Sequence, residues 1–116
     1  MTVKRKDEQR VEHIVNHRGG SGEIAITYCV EKSEYEYPGL NHICLVTVPA
    51  GVSVGPHDHA GKMELIYITE GECIYNDGSD HLLQPGDCAI VAGEKDIHQL
   101  KNPRETPLKY LAFIIN

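Results

Sequence analysis

No stretch of the chain approaches the roughly 18 consecutive apolar residues that a membrane-spanning helix needs, so no such span is expected. The N-terminal run MTVKRKDEQR is polar and lacks the apolar centre of a secretory signal peptide, which makes the cytoplasm the expected location. Lys and Arg number 11 against 17 Asp and Glu. The net charge of -6 argues against nucleic acid or an anionic membrane as partner, because both require clustered basic residues. No helix-turn-helix stretch is present. There is no C-x-x-C pair either: Cys29, Cys44, Cys73 and Cys88 are dispersed, each in a strand-like stretch, which speaks against a cysteine metal site or a disulfide framework. In a reducing compartment all four are expected to be small buried hydrophobes. Also missing is any window of ten or more residues with helical periodicity and caps at both ends.

What is present is a succession of short strands. A chain of 116 residues with 41% hydrophobic content suits one domain around one modest core. Residues 1–22 read as an N-terminal edge segment and residues 23–116 as the β domain. Within the latter, EIAITYCV, HICLVTV, the stretch from Val54 to His59, the stretch from Met63 to Thr69, ECIY, HLLQ, CAIVA, HQLK and LKYLAFII are expected strands. Turn residues punctuate them, including Asn76-Asp77-Gly78 in a hairpin and the loops EKSEYEYPGLN and NPRETP. Turn signals every eight to twelve residues suggest an all-β sandwich or barrel.

One stretch carries chemistry. In GVSVGPHDHAGKMELIYITEG, His57 and His59 lie two apart and Glu64 follows five residues later, with Gly51 and Gly71 at the ends. On an extended strand the two histidines share a face, with Cα atoms about 6.6 Å apart at ~3.3 Å rise per residue, and can chelate one ion. Gly61 lets the chain turn and bring Glu64 alongside as an anionic third ligand. Asp58, between the histidines, is expected to point away. Alternation then sends Ile66 and Ile68 inward with Glu64, and Leu100 inward with His98, while Leu65 and Tyr67 face out toward a second sheet or a partner subunit.

The spacing resembles the first motif of the cupins: glycine, His-x-His, glutamate, glycine. A second motif is expected about twenty residues on. Pro85, Gly86 and Asp87 match its opening turn, and His98 followed by Asn102 matches its end. The middle departs: AGEKDI replaces the usual proline-x-glycine, Ala92 stands where proline is usual, and His98 falls one residue late. The resemblance covers roughly residues 40–116 and implies a double-stranded β-helix, the jelly-roll barrel of the cupin type. It also implies a metal site made of His57, His59, Glu64 and His98.

Imidazole and carboxylate suit one divalent transition ion (Fe, Mn, Ni, Zn, Co or Cu), and the residue types do not choose among them. Four protein ligands leave an octahedral ion two adjacent positions for water, O2 or a bidentate substrate. The expected function is a mononuclear metalloenzyme of dioxygenase, isomerase or lyase type acting on a small oxygen-bearing molecule, with the chain expected to form a homodimer. A non-catalytic module that binds or senses a small ligand or metal is the alternative, and an assembly scaffold stapled by the ion is a third reading. Tyr28, Tyr35, Tyr37, Tyr75 and Tyr110 are the candidate proton carriers, each read first as a packing aromatic. No arginine falls on an inward position beside the motif, so no clamp for an anionic substrate is visible, and Lys62 reads as a solvated loop residue. His13, His17, His42 and His81 read as incidental.

Overall fold

The structure, a computed structural model, describes residues 3–35 and 37–116. Met1, Thr2 and Glu36, with the side chains of Glu94 and Lys95, lie outside the described residues, and so do the expectations that touch them in the N-terminal segment, the EKSEYEYPGLN loop and AGEKDI. Among the described residues eight strands form one antiparallel sheet that curls into a barrel: β1 (Val11–Val15), β2 (Glu23–Glu31), β3 (Leu40–Val48), β4 (Ser53–Glu70), β5 (Cys73–Asn76), β6 (Asp80–Leu83), β7 (Cys88–Lys101) and β8 (Leu108–Ile115). Their order is β1-β2-β3-β8-β4-β7-β5-β6. Among the described residues there is no α-helix, only the 3-10 turns Lys6–Glu8 and His17–Gly19.

The alternation in the sequence becomes the two faces of this sheet. From β8, Leu108, Tyr110, Ala112 and Ile114 point into the core, and from β4 so do Glu64, Ile66 and Ile68. Ile24, Val46, Val48, Val54, Val91 and Leu100 fill the same core from their own strands. Each fully buried aliphatic side chain contributes about 1.5–3 kcal/mol through lost apolar hydration, so this inner face supplies the main driving force for closure. The two expected strands at 54–59 and 63–69 run as one long strand, as do those at 88–92 and 98–101. Both long strands bend where a glycine takes up a left-handed conformation, Gly61 (φ 71) in β4 and Gly93 (φ 85) in β7, so the ladder is irregular there without being cut.

The cysteines divide. Cys44 and Cys73 are buried, but Cys29 is half-buried and Cys88 is exposed. Cys88 lies opposite Tyr67 in the β4–β7 register, in the outward set, so the same alternation that buries Val91 places this thiol outside. Tyr67 and Ile90 are 42% and 60% exposed on that outer face, next to half-buried Leu65.

Candidate metal centre

β4 and β7 bring His57, His59, Glu64 and His98 together at one end of the barrel interior. One ligating atom from each lies within 4.8 Å of all the others, a group that could hold a metal ion. His57 stands opposite His98 in the ladder. Between this pair and the Met63–Ala92 pair, the two strands bulge in turn. Five positions of β7 separate Gly93 from His98 where two of β4 separate His59 from His57, and β4 takes up the difference before Met63. This is the structural form of the unusual AGEKDI segment: the register shifts across it, and His98 returns to register opposite His57 and is buried. Asn102, 1% exposed, fixes the next turn by donating to the carbonyls of Val48 (3.0 Å) and Thr106 (2.7 Å).

The orientations suit a cation. His57 Nδ1 lies 2.8 Å from the Gly55 carbonyl, to which it donates, leaving the Nε2 lone pair turned to the centre. His98 Nε2 is 3.2 Å from both His57 Nε2 and His59 Nε2, and Glu64 Oε1 is 3.1 Å from His59 Nε2 and 3.3 Å from His98 Nε2. A single N–H on His98 Nε2 can be donated to only one of these acceptors, so protons alone leave lone pairs facing each other in a buried place. His98 Nδ1 is itself buried with no hydrogen-bond partner among the described residues. A divalent ion would be bound by the same lone pairs, and the donor set, imidazole nitrogen with one carboxylate, fits transition metals.

The charge states agree with that use. Burial pushes the Glu64 carboxyl up, but hydrogen bonds and charge from His59 and His98 outweigh it and hold the group down at about 2, so it is anionic. Burial lowers His57 to about 4, with the neighbouring His98 and His59 adding to the effect and the Gly55 bond opposing it, so its ring is neutral near pH 7.

The four residues line a partly open cavity of about 240 Å³. Its apolar walls include Ile24, Ile26, Ile66 and Leu100, as alternation implies. Among the tyrosines, Tyr28 and Tyr110 line the cavity, and Tyr75 packs edge-on against His98 with ring centroids 5.5 Å apart. Tyr35 and Tyr37 instead line a separate surface depression with Lys32 and Pro38. The Tyr28 hydroxyl donates to Glu12 Oε1 (3.0 Å), and Arg10 stacks 4.0 Å over the Tyr28 ring. Burial first, then the Glu12 bond, raises the Tyr28 pKa.

Several cavity residues escaped the sequence reading. His17, Arg18 and Glu12 come from the N-terminal segment, and His42 from β3. His17, expected to be incidental, lines the cavity and sits edge-on to His57 with centroids 6.5 Å apart, and burial with Arg18 nearby lowers its pKa. His42 is tilted 6.0 Å from Tyr28 and is likewise lowered by burial. Arg18 is exposed and so not an inward residue, but it borders the cavity from the N-terminal segment, where no arginine was expected near the site. Lys62 is exposed, as expected, yet it too borders the cavity. The approach of the N-terminal residues rests on a pair of glycines that only the fold brings together. A Cβ on Gly20 would strike the Ser53 carbonyl, and one on Gly55 the Arg18 carbonyl, so only glycine at both positions lets the N-terminal turn lie on β4. Asp58 and His81 are exposed, and His81 pairs with Asp77 at 3.0 Å.

Comparison with known proteins agrees with this architecture. The chain is 36% identical over 115 residues to an oxalate-binding protein of Thermotoga maritima, covering 97% of this chain and 93% of the relative. A crystal structure from Thermotoga maritima described as a predicted oxalate decarboxylase superposes with a TM-score of 0.90 at 32% identity, covering 98% of both chains. A cupin-superfamily sugar phosphate isomerase from Silicibacter pomeroyi has the same fold, with a TM-score of 0.79 at 19% identity over 99% of this chain and 76% of that one. The Cupin_2 (Cupin domain) profile matches residues 44–114, which hold both motifs, and the chain belongs to that family.

Proposed function

We propose that this cupin is a mononuclear metalloprotein, with His57, His59, Glu64 and His98 as ligands, that takes up a small carboxylate of the oxalate class and acts on it as a lyase-type enzyme. The observation that carries the reading is the convergence of three imidazole Nε2 atoms and one carboxylate oxygen at the end of a cavity of about 240 Å³. That volume is below the roughly 300–1,000 Å³ of pockets for drug-sized ligands and suits a molecule of few heavy atoms. The ion, when bound, supplies a Lewis acid that coordinates and polarises carboxylate oxygens.

The chain's own residues supply the rest. Glu64 offsets part of the ion's charge, and the Gly55 carbonyl holds the His57 ring in its ligating tautomer. Ile24, Ile26, Ile66 and Leu100 give the cavity its apolar walls. Glu12, hydrogen-bonded by Tyr28, is the proton-carrying pair of the cavity, as replacing a carboxylate by hydrogen in a decarboxylation requires. The name of the oxalate-binding relative supports a second reading, a receptor that binds the carboxylate without turnover.

Metal analysis of protein purified without added metal or chelator, combined with calorimetric titration of oxalate into loaded and stripped protein, tests both. Metal near one equivalent and oxalate binding only to loaded protein are expected. Release of CO2 and formate supports the enzyme, and binding without release supports the receptor. No metal after reconstitution would remove both. We also propose a homodimer that covers Leu65, Tyr67 and Ile90. A dimer in sedimentation at micromolar concentration, converted to monomer by Tyr67→Glu, is expected; a monomeric parent protein would exclude it.

A further inference from the structure

We propose that Arg18 is a specificity-determining residue that selects a dicarboxylate dianion over a monocarboxylate; this rests on the small-carboxylate reading above. The turn that presents it is strained and over-determined. Asn16 (φ 54) and Arg18 (φ 56, ψ 28) are both left-handed, a conformation that Asn tolerates and Arg does not favour. Strain of this kind persists only where the surroundings enforce it. Here Asn16 N–H donates to the Gly22 carbonyl (2.9 Å), Asn16 Oδ1 accepts from Gly22 N–H (3.1 Å), and Gly20 N–H donates to the His17 carbonyl (2.9 Å). Ser21 N–H donates to Ser53 Oγ (2.9 Å) and Ser53 N–H to the Ser21 carbonyl (2.9 Å), tying the turn to the start of β4. The close approach of Gly20 and Gly55 completes the clamp.

The backbone fixed there carries an exposed cation with no ion-pair partner among the described residues. Lys4 pairs with Glu34, Arg10 with Glu31 and Glu12, Arg104 with Glu72, and Lys109 with Glu70. Among the described residues, no carboxylate lies within ion-pair distance of Arg18. Yet Arg18 borders the same cavity as His57, His59 and Glu64. A divalent ion with the Glu64 carboxylate carries one net positive charge. A monocarboxylate neutralises it, whereas a dianion leaves one negative charge over, for which Arg18 is the counter-charge. Lys62, the other cation on the cavity, is exposed like Arg18 but offers a point charge in place of a planar fork that matches a carboxylate.

The test is Arg18→Gly, which removes the charge and also relieves the left-handed backbone, with Arg18→Lys and Lys62→Ala beside it. In metal-loaded protein we expect Arg18→Gly to keep its metal and its melting temperature, or to melt higher. Its oxalate affinity falls about 10- to 100-fold, the range of a charge-assisted contact, and acetate affinity changes less than about threefold. Arg18→Lys falls between, Lys62→Ala stays within about threefold for oxalate, and the salt dependence of oxalate binding weakens in Arg18→Gly. Parental oxalate affinity in Arg18→Gly, an equal loss of acetate and oxalate, or loss of metal would overturn the assignment while leaving the carboxylate reading in place. Failure of the loaded parent protein to bind oxalate would overturn both.

Discussion

β4 is two different strands joined at Met63. From Met63 to Tyr67 it pairs residue for residue with β8 on one side and β7 on the other. From Val54 to Met63 its register with β7 shifts three times. The regular half contributes Ile66 and Ile68 to the core, and the irregular half carries His57 and His59, with Glu64 one residue inside the regular half. A sheet held on both edges is stiff and buries apolar surface well, but its side chains stand at fixed spacings. Bulges re-aim side chains, and three Nε2 atoms converge only where the ladder gives way. The molecule thus places stability and chemistry on adjoining stretches of one strand.

Removing a proposed ligand is expected to have the largest effect on the irregular half. His57→Ala and Glu64→Ala are each expected to lower metal affinity by about 100-fold or more, while circular dichroism shows the barrel intact. Metal content equal to that of the parent protein would mean that the cluster is a polar network only. In the regular half the opposite pattern is expected. Ile68 is fully buried and borders β8, so Ile68→Ala should cost about 2–5 kcal/mol in denaturant unfolding and leave metal stoichiometry unchanged. If Ile68→Ala lost metal in proportion to stability, the two halves would not be separable.

The same division explains what could be read from the sequence. Strand positions, the inward set Glu64, Ile66 and Ile68, and the outward Tyr67 follow from period-two alternation, which holds where the ladder is regular. His57, His59, Glu64 and His98 were legible as a spaced motif, since chelation demands particular residue types at particular intervals. Arg18, His17 and Glu12 were not. They reach the cavity from residues before β2, which carry no periodic signal, and their approach depends on a fit between Gly20 and Gly55, 35 positions apart, that only tertiary structure displays. Cys88 was expected buried as a small hydrophobe in a strand-like stretch, but it falls on the outward face of β7, and only the other face packs inward.

Gly61 sharpens the comparison most finely, because it sits inside the irregular half between His59 and Glu64 without being part of the cluster. Its φ of 71 lies in the left-handed region, and a Cβ built on it meets nothing within 4 Å. Gly61→Ala therefore adds backbone strain and no clash, and should cost about 1–2 kcal/mol. His59 is held opposite Gly93 and Glu64 opposite both Val91 and Ile114, so the two side chains are positioned from either end of the bend. Metal affinity in Gly61→Ala should accordingly stay within about threefold of the parent protein, measured by competition with a chelator, while the unfolding midpoint falls. A loss of metal affinity larger than the loss of stability would mean that the bend itself aims the ligands, and that the neighbouring strands do not.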